Sequence, residues 1–321
     1  MNNKPIAIYY EHPQWFEPLF AALDRRDLKY EKINACSDFY DPHENLADRY
    51  SLIFNRMSAS AYLRSHGNAI FYTRGLLASL EQKGTRVING YDAFQIEISK
   101  ALQAALFDSL GVKYPKTRVV NAAKKAPEAA RNLQFPIIVK PNIGGRGAGI
   151  VKFDAPEDLE KAVIENLIDL GIDQTALVQE FAPKRNGSIQ RIETLNGKFL
   201  YGLQIFPQGE NFNLCPAEVC LTEDQKPADA IGEICIADAP KIGLKIEKFA
   251  PPVEIVETVE RIVQAAKIDV GGVEYLIDDR TGEPLFYDIN ALSNFVADAV
   301  NLIGFDPHEN LVDFLERELK K

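Results

Sequence analysis

Glu274, Asp288 and Asn290 are the residues whose types and spacing say most about chemistry in this chain. Residues 271–295 read GGVEYLIDDRTGEPLFYDINALSNF, in which two β-type runs, 273–277 and 285–289, flank the turn DDRTGEP. This pattern predicts a hairpin. With the turn centred on Thr281, Glu274 faces Asp288 across the pair, and the two-residue period of a strand puts Asn290 on the same face as Asp288. Two carboxylates and an amide oxygen then converge at Cβ separations of about 4.5–5.5 Å. Like charges this close repel unless a proton or a cation lies between them. Oxygen-only ligation suits magnesium, which takes a few carboxylates and fills its shell with water and phosphate oxygens. The competing reading is an ordinary strand pair with a polar solvent face, and a one-residue slip of register would undo the convergence.

A second set lies upstream. Residues 135–153, FPIIVKPNIGGRGAGIVKF, place the loop 142–149, with Gly144, Gly145, Gly147 and Gly149, between strand-like runs at 135–140 and 150–153. A Walker loop would end in Gly-Lys-Ser/Thr and open a helix, and a dinucleotide-binding turn would read Gly-x-Gly-x-x-Gly before a helix. Neither pattern is present. What remains is a flap whose backbone can approach phosphates closely and offer its N–H groups, or a flexible structural turn. Ile138 and Lys140 share one face of the first strand, an apolar residue beside a cation, as a base and its phosphates would require. Lys100, on a helix predicted over 95–110, is a second candidate cation. Either lysine could also be an ordinary solvated side chain.

The elements that must position these residues fall into three regions. Up to residue 98, strands are predicted over 6–10, 29–33, 51–54 and 86–88, with helices over 18–26 and 73–83. Alternation of this kind gives a small parallel sheet with helical crossovers, whose ligands gather beyond the carboxyl ends of the strands. Glu11, His12, Asn55, Arg56, Asn89 and Gly90 stand there. Arg56 could grip a substrate carboxylate through its fork, or be an ordinary surface arginine. From 99 to 181 follow the helix over 95–110 stopped by Gly111, a strand over 117–120, a helix over 127–132, the glycine hairpin, a helix over 156–170 and a strand over 176–180. From 182 onward, strands and antiparallel returns predominate, closed by a helix over 307–320. The proline-containing stretch 207–252 has the length of a lid or binding loop. The hexapeptide DPHENL occurs at 41–46 and at 306–311, each copy carrying a capping box, and is read as helix-start chemistry used twice.

Composition sets limits on partners. The net charge is −10 and the 36 Lys and Arg residues are dispersed, which argues against a nucleic-acid footprint. The N-terminal residues lack the apolar core of a signal peptide and no run approaches membrane-spanning length, so a cytoplasmic protein is expected, with no membrane partner. Four widely spaced cysteines, Cys36, Cys215, Cys220 and Cys235, indicate neither a disulfide framework nor a structural zinc site, although the spacing of Cys215 and Cys220 could suit a metal.

Lys140 before a glycine hairpin, then LVQEF at 177–181, then GVEYLID and YDINALS, resembles the ATP-grasp superfamily of carboxylate-amine ligases. The order and spacing are most similar to the branch of ribosomal-protein glutamate ligases and glutathione synthetases, with D-alanine-D-alanine ligases as cousins. The resemblance covers residues 99–295. It implies an α/β fold of the α+β grasp type, in which an N-terminal parallel α/β substrate domain (1–98) precedes a two-subdomain module (99–181 with the flap, 182–321 with the metal site). It further implies that Lys100 and Lys140 contact the phosphates of ATP and that Gly144, Gly145, Gly147 and Gly149 close over them. Gln179, Glu180 and Phe181 would form the hinge that reads adenine, with Ile138 and Leu276 lining the base pocket. Glu274, Asp288 and Asn290 would hold one or two magnesium ions, or manganese in their place, and Arg191 would contact phosphate or an acyl intermediate.

Departures from the family pattern bear on the substrates. The acid that often follows the hinge and holds the ribose has no counterpart, and Ser188 stands near its place. The stretch FNLCPAEVC at 212–220 lacks the family's arginine, and the usual proline after the metal asparagine becomes Leu292, Ser293 and Asn294. Arg56, Ser293 and Asn294 are the candidate substrate residues, suited to a small carboxylic acid and an amine of amino-acid-like character. The implied reaction runs through an acyl phosphate and releases ADP and phosphate. A small-molecule kinase and an ATP-binding regulator without chemistry are the alternatives, and a homo-oligomer remains open.

Overall fold

A computed structural model of the chain describes residues 4–12, 14–145, 147–207 and 245–321. Three sheets organise it. The first is parallel, in the order β2-β1-β3-β4, with β1 at Ile6–Tyr10, β2 at Tyr30–Asn34, β3 at Leu52–Arg56 and β4 at Val87–Ile88. Central β1 and β3 read as nearly continuous apolar runs because both of their faces are covered, whereas edge strand β2 (YEKIN) is half exposed. The crossovers carry α1 (Glu17–Arg25) and α2 (Gly67–Gln82). α2 starts six residues before the predicted 73 because Ala69 and Ile70 continue its buried stripe of Thr73, Leu76, Leu77 and Leu80.

The helix expected over 95–110 is two helices, α3 (Tyr91–Glu97) and α4 (Lys100–Ser109). Ser99 between them is extended (φ −146°, ψ 102°), and its hydroxyl accepts from Leu102 N–H at 3.2 Å, so an internal N-cap breaks what the apolar pattern reads as continuous. Lys100 thereby becomes the first residue of α4.

The second sheet is antiparallel, in the order β5-β8-β6-β7, with β5 at Thr117–Val120, β6 at Ile137–Pro141, β7 at Val151–Phe153 and β8 at Ala176–Glu180. One face packs on α5 (Ala126–Ala130) and α6 (Pro156–Ile164). α6 stops six residues short of the predicted 170, since Asn166 turns left-handed (φ 56°) and Leu167 N–H closes on Ala162 O at 2.9 Å.

The third sheet, order β11-β10-β9-β12-β13, is antiparallel throughout: β9 Ile189–Leu195, β10 Lys198–Phe206, β11 Lys245–Phe249, β12 Val270–Ile277 and β13 Pro284–Asn290. Of the stretch 207–252 proposed as a lid, residues 245–249 are strand β11, and 208–244 lie outside the described residues, as do Cys215, Cys220, Cys235 and the segment 212–220. Helix α7 (Val253–Ala265) covers one face, burying Ile255, Val259, Ile262 and Val263 against Ile192, Val273, Phe286 and Ile289. The other face is left for the site. After α8 (Ala299–Ile303), α9 (Pro307–Glu318) packs on α1, so one apolar core runs from the first sheet through Leu203 and Val270 to Phe314 and Leu315.

The two DPHENL copies differ. At 306–311 Asp306 caps α9, accepting from His308 N–H at 2.9 Å. At 41–46 Asp41 accepts from His43 N–H at 2.8 Å, yet only a 3-10 turn follows, at Leu46–Asp48. The same cap starts a helix only where an apolar stripe such as Leu311, Val312, Phe314 and Leu315 follows to be buried. Among the described residues, no helix is long and apolar enough to cross a membrane.

Candidate nucleotide and metal site

The register expected of the C-terminal hairpin holds where it matters. Glu274 pairs with Asp288 and Gly272 with Asn290. Toward the turn the pairing shifts by one, Tyr275 with Phe286 and Leu276 with Leu285, so Tyr287 is the extra residue of a β-bulge. The bulge returns Phe286 and Ile289 to the core beneath α7 and lets Tyr287, Asp288 and Asn290 all line the pocket. Tyr287 donates its hydroxyl to Glu274 Oε2 at 2.8 Å. Arg191, opposite Glu274 on β9, donates to Glu274 Oε1 at 2.9 Å and to the fully buried Glu193 at 2.6 Å.

Electrostatics at this face follow from burial and the crowding of charges. Burial, followed by the Asp288 charge, raises the Glu274 carboxyl, which Arg191 only partly offsets. Burial alone would lower the Arg191 guanidinium, but Glu193 and Glu274 hold it above its ordinary value. Lys100 Nζ lies 2.6 Å from Asp288 Oδ1 and supplies the nearest counter-charge. Lys140, 5% exposed on β6, has its pKa lowered to about 7, first by burial and then by Lys100. The amide nitrogen of Asn290 is buried with no partner among the described residues. A cation would be taken by the oxygen of this amide, and which end of the amide faces the two carboxylates is assigned from its surroundings. Three oxygen-bearing side chains of this kind fit a magnesium ion.

The same pocket, a cavity of about 200 Å³, extends from the β12–β13 hairpin beneath the glycine loop to the 179–182 segment. It gathers Lys100, Ile138, Lys140, Gly144, Gly145, Gly147, Gln179, Glu180, Phe181, Arg191, Glu274, Leu276, Asp288 and Asn290, which is most of the set expected from the sequence. Gly149 is not among the lining residues. It adopts φ +73°, and a Cβ there would come within 2.8 Å of Pro141 Cγ, so its glycine is required by the turn rather than by a ligand. In the segment expected to be the hinge, Glu180 N–H and Phe181 N–H are already bonded to Lys116 O and Pro136 O, both at 2.9 Å. The pocket wall continues through Ala182 to Lys184, a lysine lowered by burial that the sequence offered no reason to select. Ser188 is turned away from the pocket and accepts from the amides of Gln190 (3.3 Å) and Gln204 (2.8 Å).

Arg56, Ser293 and Asn294 meet outside this pocket. The Arg56 guanidinium, 3% exposed, donates to Ser293 O and, at 3.1 Å, to Asn294 Oδ1, joining the end of β3 to the loop after β13. Nearby strand ends are also engaged: Glu11 accepts the Arg64 fork (2.6 and 2.9 Å) and pairs with His66 at 2.6 Å. Two further polar residues passed unnoticed in the sequence. Glu97 accepts from Ala291 N–H at 2.6 Å and Leu292 N–H at 3.3 Å, and its carboxyl is raised by burial and by Asp288. Gln103 bonds the backbone of Ile289. Glu97 ends α3 and Gln103 lies on α4, and neither carries a local signal in the sequence.

No family model matches the chain. A D-alanine-D-alanine ligase of Maridesulfovibrio salexigens is 35% identical over 86 residues, 27% of each protein. A carbamoyl phosphate synthase large chain of Thermotoga neapolitana is 25% identical over 202 residues, 60% of this chain and 16% of the synthase. The chain thus matches about a quarter or less of the length of these two curated relatives. Among solved structures, the ATP-grasp ligase PsnB complexed with a minimal precursor superposes with a TM-score of 0.67 at 16% identity, over 98% of this chain and all of the other. A D-alanine-D-alanine ligase from Bacillus anthracis complexed with ATP gives 0.62 at 15% identity, over 100% and 98%.

Proposed function

Because this chain has the ATP-grasp fold, we propose that it is a cytoplasmic, magnesium-dependent ligase that joins a small carboxylic acid to an amine and forms ADP and phosphate. The observation that carries this reading is the convergence of Lys100, Lys140 and Arg191 with Glu274, Asp288 and Asn290 in one pocket beneath a glycine hairpin. Three cations and three oxygen ligands suit a triphosphate, and the apolar wall of Ile138 and Leu276 suits its base.

In this reading the base lies between Ile138 and Leu276 near the 179–182 segment, with Lys184 toward the sugar. Lys140 and Lys100 hold the phosphate chain, and the N–H groups around Gly144, Gly145 and Gly147 close over it. Glu274, Asp288 and Asn290 would hold magnesium, which would supply charge stabilisation to the transferring phosphoryl group. The substrate carboxylate attacks the γ-phosphorus, ADP leaves, and an amine then attacks the acyl phosphate and expels phosphate. Arg191 neutralises the anionic carbonyl centre. Arg56, Ser293 and Asn294 would act from beside the pocket, joined to it through Ser293 Oγ, 3.5 Å from Arg191, on the side proposed for the acid and amine. Closure of the glycine hairpin excludes the water that would hydrolyse the acyl phosphate.

The test is turnover with pools of amino acids and small carboxylic acids in the presence of hydroxylamine. A hydroxamate formed with one ADP per product supports the ligase. AMP and pyrophosphate, or a stable phosphorylated product without hydroxamate, would overturn it.

A further inference from the structure

Strand β13 is the outer edge of the third sheet, so alternate backbone groups along it face away from any neighbouring strand. At Ile289 these groups are taken by a side chain. Gln103 Nε2 donates to Ile289 O at 2.9 Å, and Ile289 N–H donates to Gln103 Oε1 at 3.1 Å, the two-bond exchange that a further strand would have made. Gln103 Nε2 also donates to Ile96 O at 3.0 Å, which fixes the amide against the end of α3. The residue is 1% exposed.

Ile289 separates Asp288 from Asn290, and its own side chain is locked in the core beneath α7. The roll of the strand at Ile289 therefore sets where the neighbouring carboxylate and amide point. One helical turn before Gln103 on α4, Lys100 reaches Asp288 directly. We infer that Gln103 is a positioning residue that holds Asp288 and Asn290 in the geometry a divalent cation needs. The inference rests on reading those two residues as metal ligands. Hydrogen-bonding groups behind metal ligands of other proteins change metal affinity or activity about 10- to 100-fold when removed.

The experiment is a titration of the full chain with Mn2+ in the presence of ADP, followed by electron paramagnetic resonance, alongside thermal melting without metal. Gln103→Ala should weaken Mn2+ binding about tenfold or more. Gln103→Glu keeps the acceptor for Ile289 N–H but loses both donated bonds. It should weaken binding in the same direction, and it carries the test should the alanine variant fail to fold. Thr194→Val is the control for general weakening of the sheet, since Thr194 Oγ1 donates a buried bond to Gly271 O at 2.9 Å on the face away from the pocket. It should bind Mn2+ as the wild type does. Asp288→Asn should lose Mn2+ binding. Retained binding in that variant means the metal assignment is wrong. Loss there, with unchanged binding in both Gln103 variants, overturns the positioning role, as does a Thr194→Val defect equal to that of Gln103→Ala.

Discussion

Two hairpins bound the candidate nucleotide pocket, and they are built in opposite ways. The C-terminal hairpin, β12–β13, pairs over six residues, shares β12 with β9 and is tied from outside by Gln103, Glu97 and Arg191. The glycine hairpin, β6–β7, pairs over three residues, and β7 is a sheet edge. Its loop bonds to the rest of the protein mainly at its base, where Lys100 N–H donates to Asn142 O (3.2 Å) and Asn142 Nδ2 to Asp173 (2.7 Å). Ligands for a small hard cation tolerate little displacement, whereas a cover over phosphates must open to release product. Rigidity on one wall and a weakly paired cover on the other suit those two demands.

Substitutions that break this contrast should differ in kind. The largest effect is expected of Asp288→Asn in the rigid hairpin: turnover, measured as ADP release, falls about 10²- to 10³-fold or more, while the melting temperature stays close to that of the wild type. Full activity would remove Asp288 from the site. Lys140→Met should lower kcat/KM for ATP about 10²-fold and yet raise the melting temperature of the unliganded protein, because a buried cation beside Lys100 is costly. A lower melting temperature would show that Lys140 stabilises the fold.

Within the glycine loop the same change should act differently at two positions. Gly149→Ala meets both a positive φ and Pro141, and should cost roughly 1–3 kcal/mol of stability. Gly144→Ala would place its Cβ at 3.4 Å from Lys100 Cε and from Pro141 O, so stability should change by no more than about 0.5 kcal/mol. Its KM for ATP should rise several-fold. Equal melting of the two variants would contradict the assignment of Gly149 to the turn.

The smallest signal is a proton. Lys140 is lowered to about 7 in the free protein, so just above that pH it is partly neutral, and phosphate oxygens beside it would raise its pKa. ADP binding near pH 7.5 should therefore take up a fraction of a proton, read by calorimetry in buffers of different ionisation enthalpy. For the unliganded fold the pH dependence runs the other way from that of ADP binding, since here it is the unfolded chain that takes up the proton. A lysine depressed below its unfolded value of 10.5 makes stability rise as pH increases from about 7 toward that value.

Much of this was legible in the residues. Period-two alternation and one turn fixed the pairing of Glu274 with Asp288, and Ile138 and Lys140 fell on one pocket face as strand parity requires. What escaped was tertiary. The bulge at Tyr287 arises because Phe286 and Ile289, three apart, both pack beneath α7, which strict alternation forbids. The break at Ser99 is invisible in an apolar pattern that runs on from α3 into α4, and nothing local marks Gln103 and Glu97, whose partners are more than 180 positions away. Ser188 stood at a plausible sequence position, but local strand direction sent it to the opposite face from Ile189 and Arg191.

The amide of Gln103 has one more consequence. An edge strand with open backbone groups is a template for a strand from another molecule, and proteins commonly blunt such edges with charge, bulges or cover. Along β13, Ile289 is closed by Gln103, and Phe286 N–H donates to Lys113 O at 2.9 Å. The stretch that carries the candidate metal ligands thus offers a foreign strand fewer open groups, and the side chain that covers this edge is the one proposed to hold the site.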